Sequence, residues 1–122
     1  QLVLSASNNQ ALVRMAQQSY FGELLQAGVK IALYTPHFLH AKHLSVDDSI
    51  ALVSSINLDI RSFALNAEVG LLCYDRDVVA RMHAIEAPYL AHSRTITLEQ
   101  WRQRPSWRFN LEGLARLADS FM

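Results

Sequence analysis

Hydrophobic positions in the first third of the chain alternate between strand-like runs and helical spacing. Leu2 to Ala6 form a short apolar run that we expect to end a strand. Val29 to Tyr34 form a mostly apolar run, typical of a strand buried in an α/β sheet. Between the two runs, apolar residues recur at helical spacing, which predicts a helix from about residue 8 to Ala27. Gly28 follows, and glycine commonly ends a helix at this position.

The middle of the chain has the pattern of β-strands. His40 to Val46 and Ser49 to Ser55 are predicted to be strands, and the acidic pair Asp47-Asp48 between them indicates the turn of a hairpin. Glu68 to Tyr74 is a further apolar run of strand length. We therefore expect these three segments to be strands of a sheet.

Beyond Asp75 the hydrophobic spacing becomes helical. Asp75 is a suitable N-cap, and the helix that it begins has apolar residues at Val78, Val79, Met82, Ile85 and Leu90. Thr97 and Gln100 have the spacing of a capping box, which predicts a short helix through Trp101. Phe109 to Phe121 is predicted to be a final amphipathic helix. Together these elements predict an α/β fold, a mixed β-sheet layered between helices, with a helical C-terminal tail.

The composition fits a single domain over residues 1–122. Hydrophobic residues make up 51% of the chain, but the longest apolar stretches are far shorter than the roughly 20 residues that span a bilayer. The net charge is zero, so the composition gives no sign of nucleic-acid binding. A lone cysteine, Cys73, excludes an internal disulfide. Because the chain opens abruptly on Gln1, we expect a piece of a longer protein.

The residues best suited to chemistry lie around the predicted hairpin. On a strand, His40 and Lys42 point to the same face, because side chains alternate. This pair suits a phosphate, since lysine supplies positive charge and histidine acts as nucleophile or proton donor near neutral pH. Ser55 and Asn57 are candidate hydrogen-bond donors to phosphoryl oxygens. Glu68 is a candidate acceptor for the histidine ring, a contact that would fix the tautomer of the ring.

Other polar residues near the hairpin favour structural interpretations. Asp47 belongs to the candidate site, but acids in turns commonly bond local backbone amides, so we expect an orienting or structural role for it. His37, His40 and His43 have the composition of a metal-ligand set. On a strand, however, His40 faces opposite to the other two. We therefore expect no metal at this position.

The C-terminal region offers two further candidates. Trp101 to Arg108 combines tryptophan with arginine, a composition that suits the membrane–water interface. The simpler interpretation, which we favour, is that the tryptophans pack onto the sheet and the arginines are solvated. His83 and His92 are expected on helix surfaces.

The spaced polar residues resemble the phospholipase D superfamily. Its pattern His-x-Lys-x4-Asp stands here as His40, Lys42 and Asp47. Its Gly-Ser-x-Asn segment stands as Ser54-Ser55-Ile56-Asn57, with Ser54 in place of the usual glycine. The likeness covers nearly the whole chain and is to the C-terminal half of bacterial cardiolipin synthases. The segments that carry it are Gly28 to Ile31, Phe38 to Lys42, Asn57 to Phe63 and Asn66 to Val69.

The resemblance implies phosphatidyl transfer through a phosphohistidine intermediate. One histidine attacks the phosphorus of a phosphatidyl group, and the histidine of a second motif protonates the departing alcohol and then activates the incoming one. His40 is either the nucleophile or the acid–base partner. The chemistry so implied needs no metal and no cofactor. The catalytic residues that it implies in this chain are His40, Lys42, Asp47, Ser55, Asn57 and Glu68.

The resemblance also implies partners and a location. The substrate is a phospholipid such as phosphatidylglycerol, and the other motif lies in the N-terminal half of the same protein. The full-length protein is expected at the bacterial cytoplasmic membrane, with the catalytic domain outside the bilayer. We expect no nucleic acid partner and no activity from this chain as a monomer. Two alternatives stay open: a phosphodiesterase or nuclease that completes its site as a homodimer, and a non-catalytic lipid-binding domain.

Overall fold

The computed structural model of the chain describes residues 1–7, 11–57 and 60–105, together with Trp107, Leu111 and Leu114. In chain order its elements are β1 (Leu2–Ser5), α1 (Ala11–Ser19), α2 (Phe21–Gln26), β2 (Ile31–Tyr34), β3 (His43–Val46), β4 (Ile50–Ser54), α3 (Ile60–Ala64), β5 (Gly70–Cys73), α4 (Arg76–Ala91), β6 (Ser93–Ile96) and α5 (Leu98–Arg102). The predicted α/β class is confirmed. The strands form two three-stranded sheets.

The chain divides into two compact units. One contains residues 1–39 and the segment from Ser93 onward, and the other contains residues 40–92. The assignment of the whole chain to a single domain stays a prediction.

The sheet of the first unit has the order β1–β2–β6. The central strand β2 runs parallel to β1 and antiparallel to β6, and all four of its residues are buried, as the apolar run predicted. The core around it consists of Phe21, Ile31, Leu33, Ile96 and Trp101. The rings of Phe21 and Trp101 lie 5.1 Å apart. Burial of Trp101 agrees with the packing interpretation of this residue.

The helix predicted from about residue 8 to Ala27 is two helices, and residues 8–10 lie outside the described residues. The break falls at Tyr20, whose N–H donates to the Gln17 carbonyl three residues back, at 3.3 Å. The Ser19 hydroxyl donates to the Ala16 carbonyl at 2.6 Å. This bond competes with the helical backbone pattern. The local competition explains why the apolar spacing continues while the helix does not.

Gly28 ends α2 as predicted. Its φ of 84° is in the left-handed region that favours glycine. The N–H of Gly28 donates to the Leu25 carbonyl at 3.1 Å, and that of Val29 donates to the Leu24 carbonyl at 2.9 Å. These two bonds form a Schellman motif, which satisfies carbonyls at the end of the helix.

The sheet of the second unit is antiparallel, in the order β3–β4–β5. The predicted hairpin is confirmed, since Val46 pairs with Ile50 across a turn that contains Asp47. The strand predicted from His40, however, begins at His43. Pairing reaches Lys42, whose carbonyl accepts from the Ser54 N–H at 3.0 Å.

The hydrogen bond of the Ile56 N–H explains why the hairpin ladder stops at Lys42. The N–H of Ile56 would continue the ladder toward His40, but it donates to the Ser54 hydroxyl at 3.3 Å instead. Ser and Thr side chains offer the backbone such local alternatives to a ladder. His40 therefore lies before the strand.

The helix caps predicted beyond residue 75 are confirmed. The Asp75 carboxylate accepts from the N–H groups of Asp77 and Val78, at 2.9 and 3.1 Å. Thr97 and Gln100 form a capping box at the start of α5. The prediction of a purely helical C-terminal region missed one strand. β6 lies between α4 and α5 and pairs with β2.

The end of the chain is described only in part. Most of the final helix predicted from Phe109 to Phe121 lies outside the described residues. The two described residues of this segment, Leu111 and Leu114, are helical. Within the described ranges, no helix is long and apolar enough to cross a membrane.

Candidate active site

The side chains of His40 and Lys42 are in contact just before β3. The Lys42 ammonium meets Nε2 of the His40 ring. Because an ammonium carries only donors, Nε2 of the ring is the acceptor in this contact. The His40 residue is exposed and Lys42 is half-buried. The predicted juxtaposition of imidazole and ammonium is therefore present, although both residues precede β3, which begins at His43.

Ser55 connects the end of β4 to the segment that leads into β5. Its hydroxyl donates to the Glu68 carboxylate, and its hydroxyl oxygen accepts from the Val69 N–H at 3.0 Å. The backbone N–H of Ser55 donates to the Val69 carbonyl at 2.9 Å. These bonds fix Glu68 beside the strand that follows the hairpin.

The surroundings of Glu68 hold the pKa of its carboxyl below the ordinary value. The largest cause is the hydrogen bond from Ser55, followed by the hydrogen bond from Ser62. Burial opposes these two, and a hydrogen bond from Asn66 and the nearby charge of Lys42 lower the pKa by smaller amounts. The carboxylate is therefore ionised near neutral pH and lies within electrostatic reach of the ammonium. The partners found for Glu68 are hydroxyl and amide groups, so the contact expected with the His40 ring stays a prediction.

Ser62, on α3, is a part of this network that the sequence analysis missed. It is buried, with 6% of its surface exposed. Its hydroxyl oxygen accepts from the backbone N–H of Asn57 at 3.1 Å, and it also bonds the Glu68 side chain. Ser62 thus links Asn57 to Glu68. The sequence offers no signal for this role, since Ser62 lies between Arg61 and the exposed Phe63.

The serine at position 54, where the superfamily usually has glycine, lies opposite a glycine. Ser54 pairs with Gly70 across β4 and β5. A Cβ added at Gly70 would lie 3.4 Å from the Ser54 Cβ and 3.1 Å from Cδ1 of Leu52. The absence of a side chain at position 70 therefore leaves room for the one at position 54.

Asp47 lies apart from the other candidates. It is in the hairpin turn, with a φ of 49°, and β3 separates it from Lys42. Five residues of extended chain correspond to roughly 16 Å. Its backbone carbonyl lies 2.8 Å from Nε2 of His83. This placement supports the structural role expected for a turn acid.

The neighbouring histidines have separate surroundings. The ring nitrogens of His37 lie 3.3 and 3.4 Å from the Tyr34 hydroxyl, and Nε2 of His43 lies 3.4 Å from the Glu86 carboxylate. In the part of the chain that the structure describes, no three His, Cys, Asp or Glu side chains converge as metal ligands would.

Comparison with known proteins adds to this geometry. The profile of a family described as "Cardiolipin synthase, PLD-like domain" matches residues 1–86. Cardiolipin synthase A of Proteus mirabilis strain HI4320 is 35% identical over 113 residues, which are 93% of this chain and 23% of that protein. Major cardiolipin synthase ClsA of Bacillus subtilis strain 168 is 41% identical over 107 residues, which are 88% of this chain and 22% of that protein.

The chain thus spans less than a quarter of the length of these relatives, with 23% and 22% covered. No solved structure matches the chain significantly. The profile match includes both the His40–Lys42 pair and the Ser55–Glu68 network. The chain therefore belongs to the cardiolipin synthase family with a phospholipase D-like domain.

Proposed function

We propose that this chain forms the C-terminal catalytic half of an enzyme that makes cardiolipin by phosphatidyl transfer. The observation that carries the proposal is the contact between the Lys42 ammonium and the His40 ring. A positive charge beside a nucleophilic or proton-transferring group supports this reaction, because attack on a phosphodiester needs both. The family membership supports the same reaction.

Lys42 has a different partner before and after substrate binds. In the free chain its ammonium donates to Nε2 of His40. When a phosphoryl group arrives, an anionic oxygen is a stronger acceptor, because both partners of that bond are charged. Transfer of the ammonium to the phosphoryl oxygen leaves the Nε2 lone pair of His40 available. Lys42 then stabilises the charge that develops on the phosphoryl group.

Three neighbouring residues support this pair. The Glu68 carboxylate lies within electrostatic reach of Lys42, whose charge helps to lower the Glu68 pKa. Ser55 orients Glu68 through its hydroxyl. Asn57 is exposed, and its side-chain amide is a candidate donor to a phosphoryl oxygen. Asp47 supports the hairpin from the turn.

The transfer takes two steps and a second histidine. The nucleophilic histidine forms a P–N bond with the phosphatidyl phosphorus as the P–O bond to the small alcohol breaks, and the other histidine gives that alcohol a proton. In the second step the other histidine takes the proton of a lipid hydroxyl, whose oxygen forms a P–O bond while the P–N bond breaks. His40 supplies one role, and the motif in the N-terminal half of the full-length protein supplies the other.

The substrates set the location that we propose. Two phosphatidylglycerol molecules give cardiolipin and glycerol by this scheme, and phospholipids reside in bilayers. We place the full-length protein at the bacterial cytoplasmic membrane, with the catalytic domain outside the hydrocarbon region. No step of the scheme requires a metal ion or a cofactor.

The test uses the full-length protein with vesicles of phosphatidylglycerol. Mass spectrometry should detect cardiolipin and an equal amount of glycerol, and this chain alone should give neither as a monomer. DNA and simple phosphodiesters are assayed in parallel, and size-exclusion chromatography reports any dimer of the isolated chain. Diester hydrolysis by a dimer of the chain, without cardiolipin, would replace the proposal by a homodimeric phosphodiesterase. Vesicle binding without turnover would replace it by a lipid-binding domain.

A further inference from the structure

Glu86, on α4, contacts the back of the strand that follows the candidate catalytic pair. The Ser45 hydroxyl lies 2.8 Å from each Glu86 carboxylate oxygen, and His43 Nε2 lies 3.4 Å from Oε1. His43 and Ser45 share one face of β3, because side chains alternate, and Lys42 belongs to the opposite face. Glu86 therefore fixes β3 from the side away from the phosphate-binding pair.

His83, one turn earlier on α4, contacts the turn that follows the same strand. Its Nε2 lies 2.8 Å from the Asp47 carbonyl oxygen, and its Nδ1 lies 3.1 Å from Oε2 of Glu86. Both partners are acceptors, so both contacts are hydrogen bonds only when each ring nitrogen carries a hydrogen. A neutral imidazole has one N–H and satisfies one of the two. The two bonds therefore form together only in the imidazolium form of His83.

The charges around His83 favour that form. The Asp48 carboxylate lies 3.6 Å from Nε2, and Glu86 faces Nδ1, with His43 on the other side of Glu86. The pKa of His83 is raised above the ordinary value, first by the bond to the Asp47 carbonyl and then by Glu86, against a smaller effect of burial. His83 and Asp48 line a surface cavity, and the other charged groups in its lining are Asp47 and Arg76.

We propose that Glu86 and His83 are positioning residues for phosphatidyl transfer, and that they work fully only while His83 carries both ring protons. We call the pair the α4 clamp. It contacts β3 through His43 and Ser45, and the turn directly after β3 through the Asp47 carbonyl. Lys42 directly precedes β3, so a shift of this strand moves the ammonium relative to the phosphorus. The inference rests on the proposed function for its readout in activity.

The first test is Glu86→Gln in the full-length enzyme with phosphatidylglycerol vesicles. Removal of the carboxylate charge weakens the contacts with both histidines, and we expect kcat to fall about 10- to 100-fold, the scale of a misplacement of about 1 Å. KM should change by less than about threefold, because the groups that touch lipid are intact. Glu99→Gln, on the surface of α5, is the matched control. An unchanged kcat for Glu86→Gln would overturn the proposal.

The second test separates positioning from structural support through pH. The ratio of kcat for wild type to kcat for His83→Gln cancels the titration of catalytic groups that both proteins share. We expect this ratio to be large at acid pH and to fall as pH rises through the His83 pKa, because neutral His83 keeps only one of the two bonds. His92→Gln, at the end of the same helix, should give a ratio near one throughout. A pH-independent ratio for His83→Gln would overturn the proposal.

A third readout does not depend on activity. Hydrogen exchange at the amides of residues 43–47 is compared in wild type and His83→Gln at each pH, since both chains have the same intrinsic exchange rates there. We expect the excess protection of wild type to be largest at acid pH and to decrease at alkaline pH, where one of the two bonds is lost. If wild type makes no cardiolipin, the proposed function fails while this comparison still decides on the clamp. Equal protection at acid pH would contradict the clamp alone.

Discussion

The hydroxyl of Ser55 donates to the carboxylate of Glu68, across the junction between β4 and the segment that precedes β5. This bond is the largest of the effects that lower the Glu68 pKa. It also ties the candidate donor Ser55 to a carboxylate that lies within electrostatic reach of Lys42. The polar residues of the site are therefore coupled through side chains, and changes at one of them should be measurable at another.

Replacement of Ser55 by alanine should raise the Glu68 pKa toward its ordinary value, which NMR titration of the side-chain carboxyl measures. A lowered folded-state pKa gives stability that is present above the ordinary value and is lost as pH falls through the folded-state pKa. As pH falls from about 5 to the lowered pKa, the free energy of unfolding should therefore decrease less for Ser55→Ala than for wild type. Ser49→Ala, in the hairpin turn, is the control. An unchanged Glu68 pKa in Ser55→Ala would contradict the assignment.

Lys42→Met should lower cardiolipin formation by the full-length enzyme about 10²- to 10³-fold, the scale for loss of one preorganised charge-stabilising donor. Methionine keeps most of the length of the side chain and removes the charge. Lys30→Met, at an exposed lysine before β2, controls for the loss of a positive charge. Activity of Lys42→Met within a factor of three of wild type would remove lysine from the chemistry.

Two glycines of the first unit should respond in opposite ways to alanine. Gly28 has a φ of 84°, and Gly28→Ala should destabilise the chain by about 1 kcal/mol, because left-handed backbone is costly for other residues. Gly22 lies within α2, where an added Cβ meets Nε1 of Trp101 at an ordinary 3.6 Å. Gly22→Ala should stabilise by about 0.5–1 kcal/mol. Urea unfolding measures both, and equal effects would contradict this account of the Schellman motif.

The features that sequence predicted correctly depend on a few neighbouring residues. The cap at Asp75, the capping box at Thr97 and the glycine stop at position 28 are each determined within about four residues. The His40–Lys42 contact is also local, although it lies before β3 and not on the strand from which it was predicted. Local chemistry was sufficient in all of these cases.

The features that sequence missed depend on distant partners. β6 has one apolar residue, Ile96, among polar neighbours, and it is a strand because it pairs with β2 about sixty residues earlier. The contact of His83 with the Asp47 carbonyl joins residues 36 positions apart. No spacing within either segment indicates such a contact. The strand begins at His43 because the Ile56 N–H donates to the Ser54 hydroxyl and not to the opposite strand.

Removal of divalent ions should leave phosphatidyl transfer unchanged. In the proposed scheme Lys42 supplies the positive charge and histidine supplies the nucleophile, so no ion carries a step. Activity of the full-length enzyme is measured after treatment with a chelator and after dialysis. A loss of activity that one specific ion restores would contradict the scheme and would favour a metal site that includes His37 and His43.

His40→Ala in the full-length enzyme is the most direct test of the account. Because the His40 residue is exposed, the variant should keep the melting temperature of wild type. Its rate of cardiolipin formation from phosphatidylglycerol should fall at least about 10²- to 10⁴-fold, the scale for a positioned acid, base or proton donor. His37→Ala, three residues earlier, should retain most of the activity. A folded His40→Ala enzyme that makes cardiolipin at nearly the wild-type rate would contradict the central claim that this histidine takes part in the transfer.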